Sequence, residues 1–123
     1  METANQFIEI YYGNFIQKEW DQFSDKIHND FLYFTDHCKV QNKHEFIEYL
    51  SNENWLGTSF MISDFSIIPS KDKNLLICTY RIDFYGLVSL LEFNLKALET
   101  TVLLKENDDF SIIHCHSSNI KID

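Results

Sequence analysis

The residues that loosen or break a chain are almost missing here. Among 123 residues there are one proline and three glycines. No stretch therefore reads as a flexible linker, and there is no internal repeat or low-complexity tract. Cysteine is also sparse: Cys38, Cys78 and Cys115 are odd in number, far apart and without a Cys-x-x-Cys pair. That pattern excludes a disulfide framework and points to free, buried thiols in a reducing cytoplasm. Basic residues are few, with Lys and Arg totalling 10 against 19 Asp and Glu, for a formal net charge of −9. Such a surface repels phosphate backbones and anionic membranes, so neither nucleic acid nor membrane is expected as a partner. No apolar run approaches the roughly 20 residues of a membrane span. The opening "METANQF" has no basic segment followed by an apolar one, so no secretory signal is expected. One domain covering residues 1–123 is expected from the length.

What the chain has in abundance is aromatic side chains, with 11 Phe and 6 Tyr. "TANQ" (3–6) fits a capping box, and Phe7, Ile8, Tyr11, Tyr12, Phe15 and Ile16 follow at helical spacing. "EWDQFSDKI" (19–27) is expected to continue helically after a kink, burying Trp20, Phe23 and Ile27. "DFLYF" (30–34) reads as a short strand. "NKHE" (42–45) announces a second helix, with Asn42 as N-cap, Glu45 reaching back, and Phe46, Ile47, Tyr49 and Leu50 as its apolar face. Trp55 falls in the connection after it.

Beyond this point the period changes to two. Residues 60–69, 75–85, 90–106 and 109–118 read as four long strands, with polar turns at "SKDKN" and "ENDD" and a weaker one at "GLVS". Helices first and an antiparallel meander after them give an α+β class, with helices covering one sheet face. In strand 75–85, Leu76, Cys78, Tyr80, Ile82 and Phe84 form the core parity, which leaves Arg81 and Asp83 facing solvent or an interface.

Strand 90–106 carries Glu99 on its apolar parity, with Leu91, Phe93, Leu95, Ala97, Thr101 and Leu103. A carboxylate buried alone is costly, so it needs a partner or a proton. A two-residue turn at Asn107 and Asp108 sets Leu103 opposite Ile112, Thr101 opposite His114 and Glu99 opposite His116, about 5 Å apart. The candidate chemistry is an acid–base pair in which Glu99 orients His116. The bland alternative is a satisfied polar pair closing one end of the fold, and the residues favour it. A metal set of His114, His116 and Glu99 is a minor alternative with no second ligand pair, so no metal or other cofactor is expected. Asp36, in "YFTDHC" (33–38), is a further candidate base or an exposed turn residue.

Nearly the whole chain resembles the nuclear transport factor 2-like superfamily, which includes SnoaL-like cyclases and ketosteroid isomerase. The resemblance lies in the aromatic first helix, in "EWDQFSDKIHNDFLYF" and "NKHEFIEYL", and in the long strands. Its sharpest part is Glu99-Thr100-x-Val102 with Phe110-x-x-Ile113-His114-x-His116-x-Ser118. This is similar to the end of the association domain of calcium/calmodulin-dependent protein kinase II. The resemblance implies a cone-shaped (cystatin-like) fold, with N-terminal helices on a curved antiparallel sheet. The pocket arginines of the association domain fall on Thr101 and Ser117, so an arginine-lined anion site is not implied. The catalytic Asp position of isomerase-like members falls on Thr35, one residue from Asp36, and their oxyanion-donor tyrosine corresponds to Tyr11 or Tyr12. Two functions follow as expectations. One is a homodimer, paired through the sheet face, with a pocket for a small apolar or aromatic molecule. Tyr12, Trp20, Trp55, Tyr80, Thr101 and His114 would line that pocket, and any enzymatic chemistry would be proton transfer. The other is a non-enzymatic association module.

Overall fold

The computed structural model describes residues 2–35, 39–51 and 54–120. Helix α1 (Ala4–Ile16) opens on the expected capping box: the Thr3 hydroxyl accepts from the Gln6 backbone, and the Gln6 side chain accepts from the Thr3 backbone. It buries Phe7, Ile8, Tyr11 and Tyr12. A short α2 (Trp20–Asp25) follows. It stops at Lys26, and β1 (Ile27–Thr35) starts at once. Ile27 is thus buried as a strand residue and not as the end of a helix. Its amphipathic spacing from Trp20 and Phe23 is compatible with a helix. The backbone of Lys26 instead accepts from Ile112, which draws Ile27 into the sheet.

Strand β2 (Val40–Asn42) is too short to be read from a periodic pattern. Helix α3 (Lys43–Leu50) has the second expected capping box, between Asn42 and Glu45. Then come β3 (Trp55–Pro69), β4 (Leu75–Val88), β5 (Leu91–Glu106) and β6 (Asp109–Asn119). Trp55 is therefore the first residue of a strand that begins five residues before the apolar alternation shows it.

The six strands form one sheet in the order β2-β1-β6-β5-β4-β3. β3 to β6 are the expected antiparallel meander. β1 joins β6 in parallel; β2, α3 and β3 to β5 lie between the two strands in the chain. Two bulges in β3, near Thr58 and Asp64, bend the sheet so that one face becomes concave. At Gly86 the strands pass so closely that a Cβ would lie 2.3 Å from the Leu56 carbonyl oxygen and 2.7 Å from the Phe93 ring.

The helices lie in the concavity. Aromatic contacts join the layers: Tyr11 stacks on Phe23 at 4.6 Å, Phe15 on Trp55 at 4.7 Å, and Phe31 tilts against Phe46 at 5.1 Å. Each such pair adds about 0.5–1.5 kcal/mol beyond its area burial. Phe23, Phe31, Ile8, Ile82, Leu103 and Ile112 are fully enclosed. Among the described residues no helix is long and apolar enough to cross a membrane.

Candidate functional site

The concave side of the sheet and the three helices enclose a cavity of about 670 Å³. Its wall is rich in aromatic rings, among them Tyr11, Tyr12 and Phe15 from α1, Phe23 from α2, Tyr33 from β1 and Phe46 from α3. The sheet side carries Ala97 and Glu99 from β5, and Cys115, Ser117 and Asn119 from β6. Thr35 from β1 and Gln41 from β2 add further polar groups on the sheet side, while the helices supply apolar surface and the phenols of Tyr11, Tyr12 and Tyr49.

Glu99 is the centre of this polar patch. It sits on the inward parity of β5 between Ala97 and Thr101, and only 7% of its surface is exposed. Its Oε1 accepts from the Tyr12 hydroxyl, and from the Tyr80 hydroxyl at 3.2 Å. The Ser117 side chain also hydrogen-bonds to it. The two phenol oxygens are 2.9 Å apart. The Tyr80 hydroxyl is 2.7 Å from Thr101 Oγ1, which donates to Cys115 Sγ at 3.5 Å. Six side chains from α1, β4, β5 and β6, Glu99 among them, thus form one buried network.

Burial raises the Glu99 pKa above the usual carboxylate value, and the hydroxyl donors of Tyr12, Ser117 and Tyr80 pull against it. Burial likewise holds Tyr11, Tyr12 and Tyr80 in their neutral form. Such a carboxyl group can hold a proton, give it up to a bound molecule, or ionise against a cation.

The expected hairpin turn is present, with Asn107 and Asp108 both at positive φ and Leu103 opposite Ile112. The expected Glu99–His116 pair is not. A bulge places Ile113 as an extra residue in β6, so Val102 faces His114, Thr101 faces Cys115, Thr100 faces His116 and Glu99 faces Ser117. One inserted residue moves every later side chain to the other face. His116 is exposed and His114 half-buried on the convex face, where His114 packs against Phe34 at 5.1 Å. Neither histidine reaches the cavity, so His114 is no lining residue and His116 no partner of Glu99. The His114, His116 and Glu99 metal set fails for the same reason. Among the described residues, no three His, Cys, Asp or Glu side chains converge to hold a metal ion. Partial burial and the neighbouring His116 lower the His114 pKa.

The other expected site residues divide. Tyr12 and Trp55 line the cavity. Tyr80 and Thr101 stand just behind Glu99 in the network. Trp20 packs edge-on against Phe15, Phe23 and Trp55 and supports the wall from behind. Asp36 lies outside the described residues, as do His37 and Cys38. Asp83 is on the convex parity as expected, yet it is buried there, with Arg81 Nε 3.7 Å away and its own Oδ1 without a hydrogen-bond partner. Ser117 and Cys115 were not anticipated as lining residues. Cysteine is among the most buried residue types, and Cys115 between two histidines was the available sign that the strand's phase slips.

The SnoaL-like domain family matches residues 4–123. The chain belongs to that family. Solved structures place its fold among nuclear transport factor 2-like proteins. A protein of that class from Rhodospirillum rubrum, described as of unknown function in nutrient uptake, has a TM-score of 0.86 at 11% identity, with 98% of this chain and 100% of that one covered. A candidate calcium/calmodulin-dependent kinase II association domain from Exiguobacterium sibiricum has a TM-score of 0.84 at 5% identity, with 100% and 99% covered. A candidate scytalone dehydratase from Novosphingobium aromaticivorans has a TM-score of 0.85 at 8% identity, with 95% and 81% covered. At these identities the similarity is one of fold. No curated protein matches this SnoaL-like chain in sequence.

Proposed function

We propose that this SnoaL-like domain binds a small molecule with a largely apolar or aromatic body in its cone, anchored at the Glu99 network. The observation that carries the reading is the cavity of about 670 Å³, with the buried Glu99 and Ser117 side chains in its wall. That volume falls in the usual range for small-molecule sites, and an apolar wall with few convergent polar groups is their usual make-up. Ala97 projects from β5 into the same space. Ala97→Leu should therefore reduce the binding of small aromatic fragments, measured by thermal shift and calorimetry. Binding that is unchanged by Ala97→Leu would place the fragments elsewhere, and a protein stabilised by no fragment would argue against a ligand site.

The second reading, an association module, is favoured by a different surface and is compatible with the first. The convex sheet face exposes Ile68 (62%), Leu98 (57%) and Met61 (55%), with Ile77, Tyr85 and Val102 beside them. Exposed apolar side chains interspersed with Thr79, Arg81 and Thr100 suit pairing with a second copy. Burial of Asp83 on this face, with one oxygen unsatisfied, also suits a surface completed by a partner.

A further inference from the structure

The inner end of the cavity is unbalanced in charge. Among the described residues lining it, Glu99 and Lys39 are the only carboxylate or ammonium groups. Lys39 is exposed, with its Nζ 5.9 Å from the centre of the Tyr49 ring, and Tyr49 is itself exposed. The titratable groups that face Glu99 are Tyr11 and Tyr12 from α1, Tyr33 from β1, Tyr80 from β4 and Cys115 from β6. None of these carries a positive charge in any protonation state, and burial keeps all five protonated and neutral.

The hydrogen-bond count leans the same way. Each hydroxyl has one proton and two lone pairs. The Tyr12 proton goes to Glu99, the Thr101 proton to Cys115, and the Tyr80 proton to Glu99 or a neighbouring hydroxyl. The Ser117 side chain also bonds to Glu99, so these contacts to the carboxyl group come from neutral hydroxyls and not from a cation. A carboxylate buried without a counter-ion either keeps its proton or awaits a cation. The surrounding aromatic rings tolerate a cation better than aliphatic walls do. The formal net charge of −9 raises the local concentration of cations around the whole domain.

We propose that the cavity takes a protonated amine carried on a compact apolar or aromatic body, with its ammonium group against Glu99. The inference rests on the ligand-site reading above and adds the charge class of the ligand. Binding converts Glu99 from the acid to the carboxylate, so one proton leaves the protein for each amine bound at a pH where Glu99 is still protonated. A neutral carbonyl ligand would instead draw on the protonated form, and an anionic ligand would be repelled by the ionised one.

The test uses the intact chain and three probes of one shape: benzylamine, benzyl alcohol and benzoate. Calorimetry should show benzylamine binding about tenfold or more tightly than benzyl alcohol, with benzoate weakest; tenfold corresponds to about 1.4 kcal/mol. Across the titration of Glu99, whose pKa burial raises, benzylamine affinity should rise with pH while benzyl alcohol affinity stays level. Glu99→Gln should bring the two affinities together. Benzyl alcohol or benzoate binding as tightly as benzylamine in the wild type would overturn the charge class and leave the ligand site standing. Failure of all three probes would overturn both. If Glu99→Gln does not fold, the wild-type pH profile decides: a rise supports the amine, and a flat or falling profile refutes it.

Discussion

Replacing Glu99 by glutamine tests the electrostatics of the site without any ligand. In the fold the Glu99 pKa is raised, with burial as the largest cause. In the unfolded chain it returns to an ordinary glutamate value near 4.3. Between those two values the unfolded chain has released this proton and the folded chain still holds it. The unfolded state therefore binds fewer protons, and stability falls as pH rises through the interval. Below the unfolded value the contribution of Glu99 is at its best. Above the folded value the full penalty of an ionised, buried carboxylate is present. The slope within the window cannot exceed about 1.4 kcal/mol per pH unit for one proton. Glutamine keeps an oxygen that can accept from Tyr12 and does not titrate. Urea unfolding of both proteins from about pH 4 to pH 8 isolates this term, because every other carboxylate cancels in the difference. Glu99→Gln should gain on the wild type as pH rises, by no more than that slope. A difference that is flat across the range, or that grows in favour of the wild type, would refute the buried, cation-free placement of Glu99.

Other substitutions probe separate parts of the structure. His116→Ala should leave fragment affinity within about twofold of wild type, because the histidine lies on the face away from the cavity; a large loss would restore the discarded acid–base pair. Gly86→Ala should destabilise the fold by about 1–3 kcal/mol in chemical unfolding, since the added methyl meets the Leu56 backbone at 2.3 Å. Leu98→Asp puts a charge at the middle of the exposed convex face and should convert a dimer to a monomer in light scattering, with the far-ultraviolet circular dichroism unchanged. A wild type that is monomeric at every concentration would count against the sheet-face pairing.

Local chemistry made much of this fold readable. Thr3 with Gln6 and Asn42 with Glu45 satisfy helix-end donors by short-range bonds that no distant contact disturbs, and both capping boxes form. The alternation in β4 and β5 put Cys78, Tyr80, Ile82, Ala97, Glu99, Thr101 and Leu103 inward, and they are all inward and buried. The features that escaped depend on distant pairings. The parallel union of β1 with β6, and the strand state of Ile27 that it imposes, arise from partners some 85 residues further along the chain. The bulge at Ile113 is a single inserted residue, and the sequence "SIIHCHSS" satisfies two-residue alternation in either phase. That one residue decided whether Glu99 would meet an imidazole or a serine, so the carboxylate could be singled out from sequence while its surroundings could not.

The carbon-13 shift of the Glu99 side-chain carboxyl group reads most directly whether Glu99 anchors a ligand in the cavity. In the free protein it should titrate above the ordinary glutamate value near 4.3, and saturating benzylamine should move it to the ionised value at a pH where it was still protonated. A Glu99 carboxyl that titrates at the ordinary glutamate value and does not respond to any of the three probes would contradict its role as the anchor.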